Sequence, residues 1–444
     1  MRSPIESARD RRRAPAASRG RGAEPYVRRT LGSGIPVIAE RMPELRSVSI
    51  GVWLRQGSRH ESDPMSGMSH FIEHMLFKGT KNRTAEQIAK EIDAVGGGLD
   101  AFTGKEYACY HAKALDTELP VLVDLLSDLI KNPLFAQQDL DKERKVIEEE
   151  IKMAQDAPDD LVHELFVQGL WKAHPLGRPI LGTRRSVARF DGRAMRGFWS
   201  RIYGPANLLI SVAGRFEPGK LFDLLEERFG DHAIGAEPAA ESAPEAQPVF
   251  VVKPRANLEQ VHLCLGGPGI PHGHRTRNAA NVLNTILGGS MSSRLFQSIR
   301  ESRGLAYTVY SFLGSYRDAG YVMVYAACSP ENVREVSLLC VKGIAEMTHR
   351  RVRADELERA KGHLKGNLML GLESSGSRMS NLARQEMYFG RQTSLDQMVA
   401  EIDRVTADDV RNVARDLFGG KTLSATVLGR VKDLKLHARE LAVA

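Results

Sequence analysis

The chain has 444 residues, more than the roughly 250–300 at which one hydrophobic core stops growing, so two or three domains are expected. A composition of 42% hydrophobic and 26% charged residues is that of an ordinary globular protein, and no run approaches the ~18 uninterrupted apolar residues that a membrane span needs. Of the formal net charge of +7, residues 1–24 carry +4, seven arginines against three acids, which leaves a nearly neutral body without the basic, aromatic-interleaved patch of a nucleic-acid binder.

Residues 1–24 are rich in Arg, Ala, Gly and Ser and poor in apolar side chains, the composition of a disordered basic arm. Glu6 and Asp10, and the lack of an apolar stripe at helical spacing, set the arm apart from a mitochondrial presequence. No secretory signal is expected either, because the first apolar stretch of any length is 48–54. A bacterial cytoplasm is the expected location, with the mitochondrial matrix as the alternative. Cys109, Cys264, Cys328 and Cys340 lie far apart or inside apolar runs, which fits small buried side chains in a reducing compartment.

Further along, 48–54 (VSIGVWL) alternates as a strand and a helix follows. A second strand is expected at 107–113 (YACYHAK), a long amphipathic helix after Asp116, and then a charged helix containing Glu143-Arg144. Residues 235–248 (GAEPAAESAPEAQP) have no periodicity and read as a linker. Beyond the linker the order recurs: strand 261–265 (VHLCL), a helix, strand 321–327 (YVMVYAA), a long helix after Ser329, and a helix with Glu358-Arg359, 215 residues past the first such pair. The expected architecture is therefore α+β, with two homologous domains at 25–234 and 249–444, each a mainly antiparallel sheet packed with helices. The copies differ in one respect. Lys365 stands opposite Glu150, and nothing in the second half answers to His70-x-x-Glu73-His74.

That motif sits on an expected helix, with Asp63-Pro64 suited to its start, Gly79 to its end, and Met68, Phe71, Ile72, Met75 and Leu76 forming a buried face. His70 and His74 at i and i+4 project from one side. Two neutral imidazoles can take two corners of a zinc tetrahedron, and a third protein ligand leaves one corner for water. Zinc lowers the pKa of such a water towards ~7, and Glu73 is near enough to take its proton. The order H-x-x-E-H is that of the inverzincins. The third ligand should be a carboxylate on another helix, and the run Glu143, Glu148, Glu149, Glu150 supplies candidates. Periodicity alone does not choose between Glu149 and Glu150.

From about Leu31 onward the sequence resembles the pitrilysin/insulinase family, in particular its processing-peptidase type. The resemblance rests on 67–80 (GMSHFIEHMLFKGT), 100–107 (DAFTGKEY), 175–178 (PLGR), 288–296 (GGSMSSRLF) and 303–307 (RGLAY). It implies one zinc per chain, held by His70, His74 and Glu150, with Glu143 supporting the site and Glu73 as general base. It implies an edge strand beside the metal, Gly98, Leu99, Asp100, Ala101 and Phe102, where substrate backbone pairs by strand addition. In the second half it assigns Arg300 and Tyr307 to the substrate carbonyl and the oxyanion. Asp160 and Glu164 fall where presequence-clipping relatives bind a substrate arginine, with the two acid types interchanged.

The resulting expectation is a zinc endopeptidase acting on peptides or unfolded, presequence-like segments, Arg-containing ones among them, as a homodimer with no nucleic-acid partner. The alternatives are a non-catalytic structural subunit of the core type, which in this family loses zinc ligands, and the catalytic member of a heterodimeric processing peptidase.

Overall fold

The computed structural model describes residues 26–172, 174–235, 242–432 and 434–443. The basic arm 1–24 and positions 236–241 of the linker lie outside the described residues. The first half contains strands β1 (Tyr26–Thr30), β2 (Pro36–Arg41), β3 (Ser47–Leu54), β4 (Gly98–Thr103), β5 (Ala108–Leu115) and β6 (Leu208–Gly214). The second contains β7 (Phe250–Pro254), β8 (Val261–Pro268), β9 (Ala306–Ser315), β10 (Gly320–Cys328) and β11 (Ser424–Gly429). Both halves thus open earlier than the sequence suggested. β1 and β7 are short and mostly exposed, so neither shows the alternation that a half-buried strand would leave.

The sheet orders are β1-β2-β6-β3-β5-β4 and β7-β11-β8-β10-β9. Apart from the extra β1, they are the same sheet built twice. In each, one pair is parallel (β2 with β6, β7 with β11) and the remaining pairs are antiparallel.

Each strand at the middle of a sheet is buried on both faces. Val48, Ile50, Val52 and Leu54 of β3 face the main core of the first half. Ser49, Gly51 and Trp53 point the other way, against helix Ser375–Phe389 of the second half. There Met379, Leu382 and Ala383 join Ile38, Trp53, Cys109 and Leu209 in one cluster, and Ser49 bonds Ser375 at 2.9 Å. The exchange is reciprocal. Helix Pro158–Leu170 of the first half lays Val162, Phe166 and Leu170 on Cys264, Met323, Tyr325 and Leu428 of the second sheet. All four cysteines are free and buried. Among the described residues no helix is long and apolar enough to cross a membrane.

Phe166 is fully buried in the cluster that joins the halves. Phe166→Ala is expected to cost about 3–5 kcal/mol. Urea unfolding followed by circular dichroism measures it, and a loss under 1 kcal/mol would show that the exchanged helix is dispensable to stability.

Candidate metal centre

The helix that carries the paired histidines is Met68–Leu76, and Met68, Phe71, Ile72, Met75 and Leu76 bury one of its faces in the main core. It does not begin at Asp63-Pro64. Those residues form a separate 3-10 turn, Asp63–Met65, and Asp63 pairs with Arg178 at 2.7 Å instead of capping. The helix starts after Gly67, which holds φ 92 and lies so close to the loop at Leu181 that a Cβ would sit 2.7 Å from its carbonyl oxygen. The free amides are capped by Glu61, whose carboxylate accepts from Gly67 N and Ser69 N, both at 2.7 Å. An anion at a helix N-terminus satisfies orphan donors and the local dipole together. Burial nevertheless pushes the Glu61 carboxyl up to about 7, against the pull of those two amides. The helix ends at Leu76, and Gly79, at φ 128, turns the chain three residues later.

His70 and His74 stand one above the other, their ring centroids 4.7 Å apart. Glu150 comes to both from helix Gln137–Asp156: its Oε2 is 3.6 Å from His70 Nε2 and its Oε1 3.7 Å from His74 Nε2. One donor atom from each residue lies within 4.8 Å of the others. In a tetrahedron with metal–ligand bonds of about 2.1 Å, ligands stand roughly 3.4 Å apart, so the cluster has the size that zinc requires. Glu150 Oε2 is also buried without a hydrogen-bond partner, as expected of an acceptor kept for a cation. Burial, and His74 beside it, lower the His70 pKa to about 4, which keeps that imidazole neutral and able to donate a lone pair. His74 Nδ1 lies 3.1 Å from Glu143 Oε2. Donation to that carboxylate fixes the tautomer that leaves Nε2 free, the usual support for a metal-ligating histidine. Lys78 in turn holds Glu143 at 2.8 Å. Glu149 is exposed and paired with Lys152.

Glu73 lies on the same helix and accepts a hydrogen bond from the Thr103 hydroxyl at the end of β4. Burial raises its pKa above the ordinary carboxylate value. β4 is the last strand of its sheet, paired only with β5 among the described strands. Gly98, Asp100 and Phe102 are exposed, and Leu99 and Ala101 are half-buried.

The remaining sequence candidates lie further out. Asp160 is exposed on the first turn of helix Pro158–Leu170. Glu164, one turn on, has its pKa raised by burial, which outweighs the opposing pull of Lys105 nearby. Arg300 occupies a π-helical turn, Phe296–Glu301, with its guanidinium 4.8 Å above the Phe296 ring and 4.9 Å above that of Tyr307. Tyr307 is 74% exposed. The hydrogen bonds, ion pairs and ring contacts of the described residues include none between this pair and the His70, His74, Glu150 cluster.

Three residues at the centre were not singled out from sequence: Glu61, Thr103 as a partner of Glu73, and Lys78. Each acts through contacts between segments, and the strings RHESD, FTGKE and MLFKG carry no periodic signal for them.

Comparisons with known proteins bear on the whole chain. The family model described as insulinase (peptidase family M16) matches residues 36–184, and the one described as peptidase M16 inactive domain matches 189–364. An uncharacterized zinc protease of Streptomyces coelicolor is 41% identical over 424 residues, covering 94% of this chain and 92% of that one. An uncharacterized zinc protease of Bacillus subtilis is 40% identical over 391 residues, covering 88% and 95%. Among solved structures, a protease from Helicobacter pylori has the same fold, with a TM-score of 0.84 at 20% identity over 91% of this chain and 99% of that one.

Two outcomes follow from this geometry. Glu150→Gln is expected to weaken zinc at least tenfold in chelator competition, whereas Glu149→Gln leaves it unchanged; the opposite result would move the ligand. Glu61 has a folded-state pKa of about 7 against 4.5 when free, so its contribution to stability is fully present below about 4.5 and is lost as pH rises through 7. The loss amounts to at most about 3 kcal/mol. Melting of wild type and Glu61→Gln between pH 5 and 8 measures it, and parallel curves would show that Glu61 does not titrate in that range.

Proposed function

The chain belongs to the insulinase family of peptidases, M16, and from that premise we propose that it is a zinc endopeptidase acting on peptides and unfolded segments. The observation that carries the reading is the convergence of His70, His74 and Glu150 beside Glu73 and the free edge of β4. Bound to the three donors, zinc would supply Lewis-acid chemistry, acidifying water and polarising a peptide carbonyl.

The chain's own residues do the rest. Backbone amides and carbonyls of 98–102 hold an extended peptide as an added strand. Glu73, aimed by the Thr103 hydroxyl, takes a proton from water on a carboxylate oxygen and returns it to the leaving amine nitrogen. Asp160 and Glu164 offer carboxylates to a substrate arginine, a preference that Lys105 beside Glu164 would weaken. A purely structural role would not require three metal donors to converge, and this favours the peptidase over the core-type subunit.

The second half supports the centre without reproducing it. Lys365, opposite Glu150 in the repeat, is tied to Asp403 at 2.7 Å. Arg300, half-buried, stacks on the exposed Tyr307, and among the described residues no hydrogen bond, ion pair or ring contact joins the pair to the metal cluster. We propose a homodimer in which each chain presents the pair to the metal of the other, two equivalent sites with no separate partner.

Glu73→Gln is expected to retain zinc and lose at least a hundredfold in kcat on a quenched peptide; activity within tenfold of wild type would remove Glu73 from the proton transfer. Mixed in equal amounts with inactive Tyr307→Phe, it should recover up to about a quarter of wild-type activity by random exchange. Proven subunit exchange with no recovery would place the whole site in one chain.

A further inference from the structure

A buried network outside the metal site joins the two halves. Arg59 lies on the short turn Ser58–His60, and its guanidinium donates to Glu106 and, at 2.9 and 3.0 Å, to both carboxylate oxygens of Asp318. The Arg59 and Glu106 side chains are 2% and 4% exposed. Glu106 also accepts the backbone N–H of Arg317 at 3.0 Å and the Tyr388 hydroxyl at 2.9 Å. Glu106 lies in the turn between β4 and β5. Arg317 and Asp318 lie in the turn between β9 and β10, and Tyr388 on helix Ser375–Phe389. The tips of two equivalent hairpins, one from each copy of the repeat, therefore meet around one arginine.

This cluster is an inefficient way to add stability. A buried ion pair loses to desolvation much of what its attraction supplies, and apolar side chains of similar volume often do as well. What the arginine fork adds is geometry, because one planar guanidinium holds both carboxylates at once.

The fixed parts lead directly to the metal centre by two routes. Ser58 N and Arg59 N bond the carbonyls of Gly104 and Lys105 at 3.1 and 2.8 Å. Gly57 approaches the same turn so closely that a Cβ would fall 2.3 Å from Gly104 O. One residue before that turn, Thr103 aims Glu73. Two residues after Arg59, Glu61 caps the helix that carries His70 and His74.

We propose that Arg59, Glu106 and Asp318 form a positioning clasp through which the half without metal ligands sets both the orientation of Glu73 and the start of the metal-binding helix. The clasp rests on the reading of the first half as a peptidase centre. None of its three residues touches the substrate or the metal. They act through Thr103 and Glu61, so the second half takes part in turnover within its own chain, independently of Arg300 and Tyr307.

Asp318→Ala in the full-length protein tests this, because Asp318 is the least buried member of the clasp and its removal leaves Arg59 paired with Glu106. On an arginine-containing quenched peptide, kcat is expected to fall at least tenfold, with KM within threefold and zinc content unchanged. Hydrogen exchange should quicken at least tenfold at the amides of Gly67, Ser69 and 103–107, and less elsewhere in the first half. Asp318→Glu, which keeps the charge, should recover part of the kcat. Tyr388→Phe, which removes one bond to Glu106, should give a smaller loss of the same kind. Unchanged kcat, or a fall matched by loss of zinc, overturns the proposal, as does exchange that rises uniformly or not at all. If the wild type itself cleaves no peptide, the peptidase reading fails and the exchange measurement alone decides the clasp: local quickening supports it, and its absence overturns it.

Discussion

A sheet packed by its own helices on one face still has a second apolar face, and in this chain helices of the other half cover it. Trp53 and Leu209 on one sheet, and Met323 and Tyr325 on the other, lie under helices that cross from the opposite copy of the repeat. Burial of apolar surface is the dominant favourable term in folding, so each half would expose a large hydrophobic patch if it were alone. The halves therefore pack their second faces against each other, and the metal helix, the edge strand and the β9–β10 hairpin are parts of that shared packing.

That packing matters for a centre assembled from distant segments. His70 and His74 need only one helix, whereas Glu150 and Glu143 come from another and Thr103 from a strand end. Catalytic groups must be held to within fractions of an ångström to be useful. Here the holding is done by carboxylates at three depths: Glu143 on the ring of His74, Glu61 on the helix amides, and Glu106 on the arginine between the halves.

Part of the fold was legible because β3, β5, β8 and β10 carry apolar residues in strand-like patterns. The recurrence of those patterns after the linker was enough to indicate two copies. β1 and β7 left no pattern because edge strands with solvent on most of their surface need none; β2, β6, β9 and β11 were not singled out either, although β6 and β11 are buried throughout, because short apolar runs do not by themselves separate a strand from a helix. The crossing of helices between halves was also hidden, since an amphipathic stripe says that a face is buried and not which sheet covers it. In the site, the i, i+4 histidines were plain from spacing. The helix start was misplaced because Asp63-Pro64 has the composition of a cap, while the carboxylate that does the capping is six residues upstream of Gly67, on a loop held by Arg178. The choice between Glu149 and Glu150 lay beyond periodicity, since adjacent residues on one helix are separated only by which neighbour each meets.

The open edge of β4 has a further physical consequence, which concerns the protein's relation to its own kind. An edge that no other described strand pairs, beside an exposed Phe102 and with its Ala101 amide bonded to the neighbouring Asp100 side chain, is a template for any extended chain, a second copy included, and such edges invite association. Asp100 stands exposed near the middle of that strand. In an antiparallel pairing of two such edges centred there, the two carboxylates would face each other, and like charges directly opposite are destabilising. A visiting strand with a neutral or basic residue at that place meets no such repulsion. One acidic side chain thus makes the edge self-avoiding while leaving it adhesive to others.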